Sequence, residues 1–227
     1  AAAAAIRLGG SFEGFAELMN RKAAELGMEN TRYVTPSGLD AEGHGSTAHD
    51  LAVLACAALQ NPEFRAVCGQ TNGHMTVGGV EYWMSNHNRL LKEYEGCIGL
   101  KTGYTDEAGR CLVSAAERDG AVIVSVVLHD PEDWDDSAAL LDWGFSALTP
   151  IALETDLSDI GIPVRSETET TLFYTVRPRE SLSAALAPGE RLYPVLSVRK
   201  SVPETARTGN TAGMLRWVDA EGKTRCW

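Results

Sequence analysis

Several features that would place a chain quickly are missing from this one. No run of about eighteen or more apolar residues occurs, so no segment reads as a membrane-spanning helix. The five cysteines, Cys56, Cys68, Cys97, Cys111 and Cys226, contain no C-x-x-C pair, which removes the usual zinc and redox spacings. Their odd number excludes complete pairing within the chain. Nothing else suggests a disulfide-stapled fold, so free thiols are expected, even for Cys97 and Cys111, which flank one loop region. Cys56, in an apolar helical run, is expected to be a small buried hydrophobe. His44, His49, His74, His87 and His129 are scattered without H-E-x-x-H or related ligand spacing, which argues against a zinc hydrolase. Internal repeats and low-complexity linkers are absent too, and nothing in the sequence implies a cofactor or metal.

Positive charge is also scarce. The chain of 227 residues carries 20 Lys+Arg against 31 Asp+Glu, a net of −11. The imbalance is local: residues 1–150 hold 10 basic and 21 acidic residues, whereas residues 151–227 hold 10 of each. An acidic first part argues against nucleic acid and against polyanionic polymers as electrostatic partners. A lysine in a functional position within it would stand out. The cluster Asp130, Glu132, Asp133, Asp135 and Asp136 reads as a solvated loop leading into a helix N-terminus, where acids are favoured, rather than as a cation site.

What is present is ordinary for a soluble globular protein: 44% apolar and 22% charged residues, in a length that allows one large or two small domains. Ala1 to Ala5 lacks the basic start and apolar core of a signal peptide and reads as the interior of a helix that began earlier. Ser11 to Leu26 has apolar residues at Phe12, Phe15, Ala16, Met19, Ala23 and Leu26, a helical period with Ser11 as cap and Gly27 as stop. Tyr33 to Gly45 is rich in turn residues. Thr47-x-x-Asp50 has the form of a capping box before an apolar helix over Leu51 to Leu59, ended by Asn61-Pro62, with a short helix following through Phe64 and Val67. Met75–Val77 and Val80–Trp83 about Gly78-Gly79 predict a hairpin. Cys97 to Thr102 predicts a strand. Gly109–Arg118 and Ala121–His129 about Asp119-Gly120 predict a second hairpin, whose near-continuous apolar run Val122–Leu128 suggests cover on both faces. Asp135 to Leu148 reads as an amphipathic helix burying Leu140, Leu141, Trp143 and Phe145. Residues 1–149 are therefore expected to form an α+β domain, an antiparallel sheet with helices. Residues 150–227 are expected to form a small all-β domain, with a strand at Thr171–Val176 and a last hairpin from Met214–Val218 through Glu221-Gly222.

One segment carries chemistry. Gly99-Leu-Lys-Thr-Gly-Tyr-Thr-Asp-Glu-Ala-Gly109 contains a lysine, a hydroxyl and a glycine in a row within a strand. Lysine supplies a fixed positive charge, threonine can hydrogen-bond a carboxylate, and glycine lets the backbone lie close to a ligand. A phosphate-loop reading fails on spacing, because Leu100 and Glu95 stand where that loop needs glycines. Four further blocks precede this one in order: Phe15 to Thr31, Pro36-Ser-Gly-Leu-Asp40, Ser46 to Ala52 and Asn86-His-Asn-Arg-Leu-Leu91.

The five blocks together resemble the low-molecular-weight D-alanyl-D-alanine carboxypeptidases, penicillin-binding serine peptidases that trim peptidoglycan stem peptides. The resemblance implies a penicillin-binding-protein/β-lactamase-like transpeptidase fold, N-terminally incomplete, followed by a β-rich domain. It implies a catalytic role for Lys101 and substrate contacts for Thr102, Gly103, Tyr104 and Thr105, beside a groove that grips a peptide's C-terminus. The implied ligands are the stem peptide and β-lactams, and the implied location is extracytoplasmic, secreted or membrane-associated through an anchor that these residues do not contain. A β-lactamase is a less fitting relative because of the second domain.

Two family elements do not occur: the sequence contains no Ser-x-Asn, and its one Ser-x-x-Lys is Ser197-Val-Arg-Lys200. That tetrapeptide lies in Leu192–Val202, which reads as a strand, where residues three apart point to opposite faces. The chain is thus expected to begin just downstream of the Ser-x-Asn position, to lack the nucleophile and to be inactive alone. A missing N-terminal segment or partner chain would complete it, and the apolar surface left open should favour dimerisation or poor solubility without one. The competing expectation is a non-catalytic degenerate homologue that binds muropeptide or a cell-wall partner.

Overall fold

The computed structural model describes residues 1–165 and 172–226. Its residues group into two compact units, Ala1–Ser146 and Ala147–Trp227.

The first unit opens with α1 (Ala2–Gly9), an alanine-rich stretch of high helix propensity. α2 (Phe12–Glu25) follows, and the Ser11 hydroxyl caps it by accepting from Gly14 N at 2.9 Å. Ala16 and Ala23 of its predicted apolar face are buried, but Phe12 is exposed. α3 (Ala48–Leu59) starts at Thr47, whose hydroxyl accepts from Asp50 N at 3.2 Å. The expected capping box is only half made, because the Asp50 carboxylate turns away from Thr47 to other partners. Asn61 caps α4 (Pro62–Cys68), with proline in its first turn. Strands β1 (Asn72–Val77) and β2 (Val80–Ser85) form the predicted hairpin about Gly78-Gly79, exposed along nearly all its length. α5 (Leu90–Glu93) is a single turn.

β3 (Cys97–Thr105), β4 (Gly109–Arg118) and β5 (Ala121–Val127) make an antiparallel three-stranded sheet in that order. α6 (Asp133–Ser146) closes the unit. Alternation along the strands divides the side chains between two cores. On one face, Leu100, Ala115, Val113 and Val124 pack with Ala55 and Leu59 of α3 and Cys68 of α4. On the other, Leu112 and Val127 pack with Leu90, Tyr94, Trp134 and Ala138. The sheet is thus covered on both sides, although Val122 remains 39% exposed. Of the α6 residues expected inside, Leu141 is fully buried, whereas Leu140 and Trp143 face solvent.

The second unit contains β6 (Thr149–Leu153), β7 (Gly161–Arg165), β8 (Phe173–Thr175), β9 (Leu182–Leu186), β10 (Tyr193–Val198), β11 (Val202–Pro203), β12 (Gly213–Val218) and β13 (Thr224–Cys226). β6 pairs with β9, β12 with β10 on one side and β13 on the other, and β7 with β8 and, in parallel, β11. Leu153, Ala184, Leu186 and Trp217 form its core. The predicted strand at 171–176 is found at Phe173–Thr175, with Thr171 outside the described residues. The strand predicted over Leu192–Val202 is broken: it ends at Val198 and resumes at Val202, with Lys200 in a bend between. Ser197 and Lys200 are therefore not three apart on one strand, and no hydrogen bond joins their side chains among the described residues.

Candidate active site

The chemistry-bearing segment occupies β3, and burial divides that strand. Gly99 and Leu100 are buried, while Lys101, Gly103 and Tyr104 are exposed and Thr102 and Thr105 half-buried. The buried half is fitted closely to the end of α4. Gly99 has φ +135°, and a Cβ there would lie 3.0 Å from the Cys68 sulfur and 3.3 Å from the Cys68 carbonyl oxygen, so only glycine fits. Burial pushes the Cys68 thiol pKa up, as it does for Cys97. Asn86 braces the same junction, donating to the carbonyls of Cys68 and Gln70 at 3.2 and 3.0 Å and accepting from Asn88 N at 3.0 Å. Asn88, buried, accepts from Leu90 N at 3.1 Å. The Asn86–Leu91 block is thus scaffold that locks the entry to β3.

Beyond Leu100 the strand is free on one side among the described residues, because β3 stands at the edge of its sheet with β4 as its hydrogen-bonded neighbour. The register is regular through Lys101↔Val113, Thr102↔Leu112, Gly103↔Cys111, Tyr104↔Arg110 and Thr105↔Gly109. Lys101, Gly103 and Thr105 therefore share one face, and Thr102 and Tyr104 share the other. The five candidate residues do not converge on a single face; they line an open strand edge from both sides. The Lys101 ammonium donates to the Thr102 carbonyl, and among the described residues it has no carboxylate partner. Tyr104, 69% exposed, donates its hydroxyl to Asp106 at 3.2 Å. The Thr105 hydroxyl accepts from Ala108 N at 2.9 Å and donates to Asp40 Oδ1 at 2.8 Å.

Asp40 is the site residue that the sequence reading did not single out, although it closes the Pro36–Asp40 block. The loop that carries it is stitched at its base. Arg32 and Gly45 exchange two backbone hydrogen bonds of 2.9 Å. His44 Nδ1 accepts from Val34 N and Thr35 N at 3.0 and 3.3 Å. Asp50, 1% exposed, accepts from Asn30 N at 2.8 Å and from the Thr31 hydroxyl at 2.7 Å, with His49 Nδ1 at 3.3 Å. These bonds, the Thr31 hydroxyl first, hold the Asp50 carboxyl below its ordinary pKa, and burial with the charge of Asp50 raises that of Tyr33.

Other expectations have mixed outcomes. Two surface cavities of about 530 and 430 Å3 are lined around His87, Arg110 and Trp134 and around Asn30, His44 and Ser46, with no residue of β3 in either. Cys56 is exposed rather than buried. Cys97 and Cys111 are both free, as the sequence predicts, opposite Ala116 and Gly103 at different ends of the β3–β4 ladder. The acidic cluster is not wholly solvated, since Asp133 is buried and held by Arg110 at 2.6 and 2.9 Å. Asp136 has its pKa raised by the neighbouring Asp130. Among the described residues no group of three or more His, Cys, Asp or Glu side chains is arranged to hold a metal ion.

Comparison with known proteins shows the family and the fold. A family model described as D-alanyl-D-alanine carboxypeptidase matches residues 1–132. The D-alanyl-D-alanine carboxypeptidase DacB2 of Mycobacterium tuberculosis is 42% identical over 142 residues, 59% of this chain and 48% of the relative. The chain thus spans about half the length of that curated relative. Among solved structures, a D-alanyl-D-alanine carboxypeptidase from M. tuberculosis H37Rv superposes with a TM-score of 0.59 at 38% identity, covering 64% of this chain and 58% of that one. Penicillin binding protein 5 from Haemophilus influenzae matches 99% of this chain and 66% of its own with a TM-score of 0.61; at 23% identity this is a likeness of fold alone.

Proposed function

That this chain belongs to the D-alanyl-D-alanine carboxypeptidase family is the premise from which we propose its function. It supplies the β3 wall of a serine-type D-Ala-D-Ala carboxypeptidase site that trims peptidoglycan pentapeptides, with residues 1–149 as the transpeptidase-like domain and 150–227 as the β-rich second domain. The site acts outside the cytoplasm; no helix among the described residues is long and apolar enough to cross a membrane.

One observation carries this reading. Lys101 offers an ammonium without a carboxylate partner on the open edge of β3, four residues from a threonine whose hydroxyl already donates to a carboxylate. A peptide laid along that edge would add as a further strand, the backbone near Gly103 meeting its backbone. Lys101 would stabilise the charge that develops at the reacting carbonyl, while Thr105, on the same face, holds the terminal carboxylate and Thr102 meets the peptide from the other face.

In the full reaction a serine oxygen bonds to the carbonyl carbon of the penultimate D-alanine and passes its proton to a lysine. The C–N bond breaks, D-alanine leaves with a proton on its nitrogen, and water hydrolyses the ester to restore the serine. β-Lactams mimic the acyl-D-Ala-D-Ala unit and would form the same ester. With no Ser-x-Asn and its Ser-x-x-Lys placed in and beyond β10, the chain alone does not form the ester; a segment bearing the serine must supply it.

The test has two arms. Incubation with fluorescent penicillin should leave the purified chain unlabelled, and a covalent adduct would contradict the missing nucleophile. Titration with N-acetyl-D-alanyl-D-alanine should shift the NMR resonances of Lys101–Thr105, and Lys101→Ala should abolish the shifts. Shifts confined to other parts of the chain would refute the β3 site.

A further inference from the structure

The Thr105 hydroxyl has one proton to give, and it is already committed. It goes to the Asp40 carboxylate at 2.8 Å, across 65 residues of sequence, while the same oxygen accepts from Ala108 N. Thr105 is the hydrogen-bond partner of Asp40, which makes no ion pair among the described residues. The protein's own carboxylate therefore stands where a peptide's terminal carboxylate is proposed to bind. Resting on that reading of the β3 edge, we propose that Asp40 is a displaceable internal competitor: it occupies the carboxylate-binding hydroxyl of Thr105, and a ligand must evict it to bind.

The loop is built for such an exchange. Its base is held by the Arg32–Gly45 pairing and by the buried Asp50, so the loop can move at its tip without unravelling. Gly38 and Gly43, with φ +80° and +75°, flank Asp40 in the left-handed region that glycine visits freely, and Leu39 beside it is 65% exposed. Releasing Asp40 thus uncovers no buried apolar surface. Displacement also favours the right ligand, because an incoming carboxylate gains attraction from the Lys101 ammonium, which Asp40 does not pair with. Two carboxylates cannot share one hydroxyl proton, and their like charges repel, so binding and eviction are coupled.

Population arithmetic sets the size of the effect. If the Asp40–Thr105 contact is made about nine-tenths of the time, the apparent Kd for a carboxylate ligand is raised about tenfold. The test measures binding of N-acetyl-D-alanyl-D-alanine and of its C-terminal amide to the chain, by NMR titration read at β3. Asp40→Ala and Asp40→Asn should each tighten the carboxylate peptide about fivefold or more. The amide, which brings no negative charge to be repelled, should gain distinctly less. In a Thr105→Val background, Asp40→Ala should tighten the carboxylate peptide distinctly less, because the contested hydroxyl is gone and only the charge repulsion is relieved.

A purely structural Asp40 would weaken both peptides alike when replaced, and that result overturns the proposal, as does unchanged affinity for the carboxylate peptide. The milder Asp40→Asn separates loss of charge from loss of fold. If the peptide moves no β3 resonance in the parent chain or in any variant, the β3-edge reading fails and this inference falls with it. If the parent binds at β3 and the variants bind no better, the inference alone is refuted.

Discussion

The two halves of β3 share one backbone and one partner strand, yet they do opposite work. Gly99 and Leu100 are buried against α3 and α4, and no side chain larger than hydrogen fits at 99. Beyond them on the edge strand, Lys101, Gly103 and Tyr104 are exposed and Thr102 and Thr105 half-buried, with polar groups bonded within the segment or, at Thr105, to Asp40 across the fold. The buried half supplies the rigidity and the exposed half the chemistry. A binding edge made only of exposed residues would fray, whereas one anchored in a core two residues upstream keeps its ladder while leaving its outer groups free.

Four substitutions would break or sharpen this contrast. The largest effect belongs to Leu100→Ala, which should cost about 2–5 kcal/mol in denaturant unfolding. The adjacent Lys101→Ala should stay within about 0.5 kcal/mol while removing peptide binding. Comparable losses from the two neighbours would erase the division of the strand. Next is Gly99→Ala, which forces a Cβ against Cys68 at an unfavourable φ. A loss of about 1–3 kcal/mol is expected, with chemical-shift changes centred on α4 and the Asn86 turn. Perturbation centred instead on Thr102–Thr105 would show that the exposed half bears the strain.

The smallest concerns the loop that faces the exposed half. The Asp50 carboxyl titrates lower in the folded chain than in the unfolded one. Its contribution is therefore complete above the unfolded pKa of about 4 and disappears as pH falls through the lower folded value. Asp50→Asn should reduce stability at pH 7 and flatten the acid limb of a stability–pH curve below about pH 4. An unchanged acid limb would mean that the loop base is held by its backbone pairing alone.

Much of the first unit was legible in the chain. Ser11 and Thr47 announced helix starts, Asn61-Pro62 a helix end, and Gly78-Gly79 and Asp119-Gly120 hairpins, and each stands where those local rules put it, because caps and tight turns depend on residues within a few positions of one another. Burial was less legible. Cys56, Leu140 and Trp143 sit in apolar runs and still face solvent, since hydropathy says a side chain can be buried and not that a partner surface exists opposite it. The turn at Arg199–Ser201 split a stretch of good strand formers for a similar reason: pairing with β12 ends at Val198, and strand propensity alone does not extend a ladder.

At the candidate site the same boundary applies. Residue order alone was sufficient for the Lys-Thr-Gly strand, its flanking blocks and the family they point to, because those are patterns of neighbours along a chain. Only folding brought Asp40 across 65 residues to the Thr105 hydroxyl, set Lys101 and Thr105 on one face with Thr102 on the other, and left the outer edge of β3 unpaired. Such facts depend on which strand lies beside which and how far a loop reaches, and contacts between distant residues have no local signature for a sequence to display.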